Sequence, residues 1–293
     1  MNKTQIEWVR NPDGSQGFTL NSKTGCTNHT PEGLCLGGLF PCYADKLAHG
    51  RLKPLYLANE NISYDLSVCN IPHSIAINDP FYPRFWEEKL KQPYQRKKPA
   101  GIFLDDMSDW MGDCWPREWT LAELQMMREN PQHRFYTLTK QPQRLPEFSP
   151  FPEKKALHHL FDIEAKVRFI SFEPLLGKLD IWARSDFVGV GLPCEWDRIG
   201  WLIIGACTGS WVDMANLCMK HTNSLSNYAG LSLMQWGNKW TAQPSPDWVR
   251  EIVEAADKAG VRVFLKENLM PLFKAEGITS REDWTGIRQE MPK

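Results

Sequence analysis

From residue 74 onward, short apolar runs alternate with segments whose apolar residues recur every three to four positions. The runs are 74–78 (SIAIN), 101–105 (GIFLD), 134–139 (RFYTLT), 167–172 (VRFISF), 201–206 (WLIIGA) and 261–266 (VRVFLK). Each is rich in Ile, Val, Phe or Leu and too short for an ordinary helix, and such continuous apolarity suits parallel strands covered on both faces. The clearest helical pattern lies at Pro246–Ala259, with Ser245 as N-cap and Pro246 in the first helical position. Trp248, Val249, Ile252, Val253 and Ala256 form its apolar stripe, and Gly260 suits the left-handed position that ends it. Further helices are predicted after Pro116, over 80–92 and over 152–165.

Repeated βα units give either an open doubly wound sheet or a barrel. No glycine-rich dinucleotide loop follows the first strand. Polar groups instead gather where strands end: Asp105-Asp106-Met107-Ser108-Asp109, Thr139-Lys140, Ser171 with Glu173, Cys207-Thr208 and Lys266-Glu267. Such strand ends build the active sites of α/β barrels, so the expectation is a barrel, complete or partial. Residues 179–200 and 208–244 lack a clean pattern and are expected to be irregular insertions, long loops that shape a substrate pocket over the barrel mouth. The whole of 1–293 is expected to be one domain.

Composition narrows the function classes. The hydrophobic fraction, 42%, supports a real core, and a formal net charge of −1 gives no global attraction to nucleic acid or acidic membranes. Arg96-Lys97-Lys98 is a local candidate for a nucleic-acid contact, or a solvated loop. The polar N-terminal segment does not resemble a signal peptide, and no run approaches the ~20 apolar residues of a membrane span. A cytoplasmic protein without a membrane partner is therefore expected. In that compartment the eight cysteines are expected as metal ligands or small buried side chains rather than a disulfide framework. Thirteen tryptophans belong mostly to core, with some available to stack on a nucleobase.

Three cysteines, Cys26, Cys35 and Cys42, fall within 17 residues of a Gly- and Pro-rich segment, spaced Cys-x8-Cys-x6-Cys. The helical pattern that begins after Cys42 places its thiol at a helix start, where thiolate is stabilised. A zinc site completed by His29 or His49 is one reading, although zinc ligands favour shorter paired spacings. Unrelated structural cysteines are a second. The third is a four-iron cluster held by three thiolates, with one iron open to S-adenosylmethionine.

Motifs spread through the chain bear on this choice: IEW at 6–8, TGC at 24–26, CYADKLA at 42–48 and IFLDDMSDWMGDCWPREW at 102–119, then HRFYTLTKQPQRL at 133–145, RFISFEPLLGKLD at 168–180, WLIIGACTG at 201–209 and PDWVREIVEAADKAGVRVFLKENL at 246–269. With them the sequence resembles a phage- and prokaryote-associated family of radical S-adenosylmethionine-like proteins with an atypical three-cysteine motif. The resemblance extends to spore photoproduct lyase-like enzymes. It implies an α/β fold with a partial (β/α)6-type TIM barrel, and Cys26, Cys35 and Cys42 as ligands of a [4Fe–4S] cluster on the loop 24–50. It implies Tyr43, Asp106, Ser108, Lys140, Ser171 and Glu173 as contacts for S-adenosylmethionine or substrate. The implied activity is generation of a 5′-deoxyadenosyl radical with an external electron donor, acting on a modified pyrimidine base in phage DNA. Catalytic candidates are Cys207 as hydrogen-atom donor, Lys266 as acid or base, and Glu173; the plain alternatives are a buried thiol and a Glu173–Lys266 ion pair. A zinc- or cluster-bearing nucleic-acid-binding module without radical chemistry is the rival function. Both cysteine gaps are longer than the family's usual ones, and Gly205-Ala206-Cys207-Thr208-Gly209 replaces its Gly-Gly-Glu-Ser-Gly type run.

Overall fold

The computed structural model describes residues 1–63, 71–141, 144, 165–179, 198–222, 230–277 and 288–292. The chain forms two compact units, Met1–Asp162 and Ile163–Lys293. In the first, β1 (Asn2–Lys3), β2 (Phe18–Leu20), β7 (Gly101–Leu104) and β8 (Arg134–Tyr136) form a four-stranded sheet in that order. β2, β7 and β8 run parallel, and β1 caps the β2 edge antiparallel. All four residues of β7 are buried, as its unbroken apolar run requires. Two small antiparallel pairs complete the strands of this unit: β3 (Lys23–Thr24) with β6 (Arg84–Phe85), and β4 (Leu34–Cys35) with β5 (Phe40–Pro41). Its helices are α1 (Tyr43–His49), α2 (Lys53–Leu57), α3 (His73–Ala76), α4 (Gln92–Gln95) and α5 (Arg117–Glu129).

The second unit carries a parallel sheet of β9 (Phe169–Phe172), β10 (Trp201–Ile204) and β14 (Arg262–Leu265), with β10 in the centre and fully buried. A separate antiparallel sheet joins β11 (Cys207–Gly209), β12 (Ser232–Trp236) and β13 (Lys239–Gln243). The helices are α6 (Trp211–Thr222), α7 (Pro246–Ala259) and α8 (Met270–Ala275). α7 starts and stops where its pattern predicts: Ser245 precedes it in extended backbone, and Gly260 ends it in the left-handed region at φ 70°.

The expected barrel is not formed. The described strands lie in separate sheets of two to four, with no closed barrel among them. Closure needs a continuous ring of strand pairing with matched tilt and register; here the strands are two to five residues long, and an antiparallel strand occupies the β2 edge. The run 74–78 contributes a helical turn instead of a strand: α3 follows extended Pro72, and Ile75 is exposed. A short apolar run does not distinguish strand from helix. The helix expected over 80–92 is replaced by β6, a 3₁₀ turn at Glu87–Lys91 and α4, because Pro83 breaks the pattern and the Arg84 side chain is bound by four backbone carbonyls. Most of 208–244, expected as an irregular loop, is α6 and the antiparallel sheet. The helix expected over 152–165 and most of 179–200 lie outside the described residues.

A fully buried ion network braces the first unit. Lys23 Nζ lies 2.8 Å from Glu123 Oε2 and 3.6 Å from Asp105 Oδ2, with no side-chain exposure on any of the three. It also donates to the Trp110 carbonyl at 2.9 Å and Thr120 Oγ1 at 3.3 Å. Burial, then the nearby Glu123 charge, holds the Asp105 carboxyl well above the usual range. Removing the lysine strands carboxylate charge in the core, so Lys23→Met is expected to cost about 3–5 kcal/mol in chemical denaturation. A carboxyl whose pKa is raised on folding contributes stability that is lost as pH rises through the folded-state value. Asp105→Asn, which mimics the protonated acid, is expected to cost far less and to flatten that loss in a pH series of the same measurement.

Candidate functional site

The three predicted ligand cysteines all lie in the first unit. Cys26 follows β3, and its N–H donates to the Phe81 carbonyl at 2.9 Å. The Gly25 N–H donates to the Met107 carbonyl at 3.0 Å. Gly25 has φ 90°, and a Cβ there would meet the carbonyl oxygens of Phe81 and Tyr82, the latter at 2.5 Å. Only glycine therefore lets the chain pass this close before Cys26. Cys35 lies on β4 and Cys42 directly after β5, so one hairpin carries both; Cys35 stands opposite Phe40 and Leu34 opposite Pro41. Cys42 is the N-cap residue of α1. Cys26 and Cys42 pack against one apolar cluster of Ala44, Ala48, Tyr56, Phe81 and Met107.

The three sulfurs sit in a mixed environment. All three thiols are free and half-buried. Burial pushes Cys26 up to about 12, and Asp109, Cys42 and Cys35 add to the rise. Burial likewise raises Cys42, opposed by the backbone N–H groups of Asp45 and Ala44 in the first turn of α1. The Asn28 N–H points at Cys26 Sγ from 3.3 Å. Burial thus disfavours the charged form of Cys26 and Cys42, a cost that a bound metal ion offsets when it deprotonates its ligands. Three soft donors of one kind, two of them packed on one apolar cluster and one met by a backbone N–H, have the chemistry an iron–sulfur cluster takes. Among the described residues, no three His, Cys, Asp or Glu side chains are grouped to hold a single metal ion. A cube spreads its thiolates over separate irons and does not need that tight grouping. Of the two histidines of the zinc reading, His29 is bridged to Cys35 by backbone pairing, whereas both ring nitrogens of His49 face carboxylates. His29 Nδ1 lies 2.9 Å from the Thr30 carbonyl, and His49 faces Asp45 at 3.1 Å and Asp79 at 3.6 Å.

Predicted cofactor contacts in this unit gather at the same place. Tyr43, next to Cys42, donates its hydroxyl to the Asp106 carbonyl beyond β7. The Asp106 carboxylate accepts from Asn21 Nδ2 at 2.7 Å, and burial raises its pKa. The Ser108 hydroxyl oxygen is buried without a hydrogen-bond partner. The Lys140 side chain lies along Gly37: a Cβ there would sit 3.1 Å from Lys140 Cδ and 3.5 Å from Cys35 Sγ. Three parallel strands thus present polar groups at their carboxyl ends, where open α/β sheets bind ligands.

Ser171, Glu173, Cys207 and Lys266 belong to the second unit. Glu173 and Lys266 form an ion pair. Asn268 donates to the Ala206 carbonyl at 2.7 Å and to Thr208 Oγ1 at 3.1 Å. The Ser171 hydroxyl oxygen is buried without a partner. Cys207 is buried, and its thiol is pushed up to about 12 by that burial, with Asp213, Cys218 and Glu173 adding to the rise. Cys114, expected as a scattered structural thiol in a reduced protein, is disulfide-bonded; Cys69 and Cys194 lie outside the described residues.

Other features resolve simply. Lys98 pairs with Asp13 at 3.0 Å, and the Arg96 guanidinium lies 4.2 Å from the Phe18 ring centroid, so two of the three basic residues at 96–98 are tied to their own unit. Trp8, Trp110, Trp115, Trp201 and Trp248 are buried, whereas Trp211 is exposed. An open cavity of ≈ 480 Å³ is lined by Asn59, Asn61, Trp86 and Glu88, among others, and by none of the predicted site residues. Among the described residues, no helix is long and apolar enough to cross a membrane. Sequence reasoning passed over Asn21, Lys23, Glu123 and Gln141; only Gln141, directly after the Thr139-Lys140 strand end, carried a local signal.

A family model described as "Protein of unknown function (DUF5131)" matches residues 3–156, and the chain belongs to that family. The matched stretch contains Cys26, Cys35 and Cys42 with Tyr43, Asp106, Ser108 and Lys140. No curated protein and no solved structure matches the chain. Gly25→Ala is expected to destabilise the chain by about 1–3 kcal/mol through strain at a positive φ, measured by denaturant unfolding. Tyr43→Phe, which loses one hydrogen bond, is expected to cost about 1 kcal/mol in the same measurement.

Proposed function

We propose that this member of the family is a radical S-adenosylmethionine enzyme whose [4Fe–4S] cluster is held by Cys26, Cys35 and Cys42. One observation carries the reading: Cys26 and Cys42 pack on one apolar cluster, and Cys35 shares a hairpin with Cys42, beside polar strand-end groups. Held by these three thiolates, such a cluster would supply the one-electron reductive cleavage of S-adenosylmethionine, its electron coming from an external donor.

The chain's own groups have definable tasks. Lys140 offers a cation beside Cys35 for the carboxylate of S-adenosylmethionine. Asp106 offers an acceptor for its amino or hydroxyl groups, and the orphaned Ser108 hydroxyl supplies a hydrogen bond that no protein group uses. Tyr43 ties the start of α1 to the turn after β7 and so keeps the Cys42 thiol in register with those groups. In the second unit, Glu173 holds Lys266 by charge, and burial raises the Cys207 thiol.

The reading includes a cytoplasmic location, an external electron donor and, as substrate, a modified pyrimidine in phage DNA. The substrate class rests on the resemblance to spore photoproduct lyase-like enzymes, and a duplex base would have to leave its stack to be reached.

The test is anaerobic reconstitution of the full chain. About four irons and four sulfides per chain are expected, with 5′-deoxyadenosine formed on addition of S-adenosylmethionine and dithionite. Cys42→Ala is expected to abolish the product, and His29→Ala and His49→Ala to leave the iron content unchanged. One zinc without sulfide, lost on removing either histidine, overturns the reading in favour of a zinc module.

A further inference from the structure

Gln141 follows the strand-end pair Thr139-Lys140 and is 2% exposed. Both ends of its carboxamide are engaged. The Asp113 N–H donates to Oε1 at 3.3 Å, which fixes the opposite end as the donor, and Nε2 stands 3.8 Å from Cys26 Sγ. Its backbone is held as firmly. The Gln141 N–H donates to Thr139 Oγ1 at 2.9 Å, the Thr139 hydroxyl donates to Asp109 Oδ1, and the Lys140 N–H donates to Asp109 Oδ2 at 2.7 Å. The Asp109 carboxylate also accepts the Met111 N–H at 3.1 Å. A buried amide donor is thus built into a rigid turn and directed at one ligand sulfur.

An N–H donor gains little from a neutral thiol and far more from a charged sulfur. Hydrogen bonds to cluster sulfurs favour the reduced, more negative state and raise the reduction potential. We propose that Gln141 is a positioning residue for the Cys26 thiolate, its side-chain N–H orienting that sulfur and raising the reduction potential of the cluster it helps to hold. The inference rests on the cluster reading above and adds to it the residue that sets the electron affinity of the site.

The experiment is a redox titration followed by electron paramagnetic resonance on the anaerobically reconstituted full chain, after iron and sulfide have been counted. Gln141→Leu is expected to keep the wild-type iron content and to shift the midpoint potential in the negative direction. Gln141→Glu, which sets a carboxylate beside the sulfur, is expected to shift it further the same way. If Gln141→Leu fails to fold, Gln141→Asn, whose amide is too short to reach Cys26, is expected to show the negative shift. An unchanged potential in a variant with full iron content overturns the proposal. Loss of iron from both Gln141→Leu and Gln141→Asn also overturns it, leaving Gln141 a structural role alone. Wild-type protein that takes up no iron is a different failure, because it removes the cluster itself.

Discussion

The ammonium of Lys23, sealed from solvent between Glu123 and Asp105, is the constraint on which the first unit is organised. Burying charge is costly unless every partner is in place, and here each partner comes from a different stretch of chain. Lys23 lies on β3, Asp105 follows β7, Glu123 is on α5, and Trp110 supplies a carbonyl between them. The network therefore fixes three elements at once. Asp105 adopts a positive φ of 62°, a conformation that surrounding structure must hold in place. Its side chain accepts the Lys23 N–H at 2.9 Å, so β3 and the turn after β7 cannot slide against each other.

That fixed point matters because the cysteine segment leaves from it. Two residues, Thr24 and Gly25, separate Lys23 from Cys26, and Gly25 and Cys26 are hydrogen-bonded to the segments around Met107 and Phe81. Cys35 and Cys42 arrive by a hairpin and a helix start, which are local devices. Their grouping with Cys26 comes from the apolar cluster that Cys26 and Cys42 share. A rigid anchor on one side and a short hairpin on the other give three soft donors with limited freedom.

Much of the secondary structure was legible in the chain. The runs at 101–105, 134–139, 167–172, 201–206 and 261–266 became β7, β8, β9, β10 and β14; β7, β10 and β14 are buried, as continuous Ile, Leu, Val and Phe suit, while β8 and β9 are largely half-buried. Pro246–Ala259 was readable to its ends because Pro and Gly act through their own backbone limits. The run at 74–78 misled, because five residues do not separate a two-residue period from a helical turn. Residues 208–244 were opaque for another reason. β12 and β13 pair through the tight turn at Gly237, and half-exposed antiparallel strands lack the apolar continuity that marked the parallel ones.

The sequence by itself determined where the thiols cluster along the chain, where the buried strands and the capped helix lie, and which polar residues stand at strand ends. Those properties reside in single side chains and short periods. The tertiary structure alone decided that the strands pair in separate sheets, that Lys23, Asp105 and Glu123 share one buried site, and that Gln141 points at Cys26. The two side-chain meetings join residues far apart in the chain, 82 positions between Lys23 and Asp105 and 115 between Cys26 and Gln141. No local period or propensity encodes such a meeting, because it depends on how the whole unit excludes water and satisfies its buried polar groups.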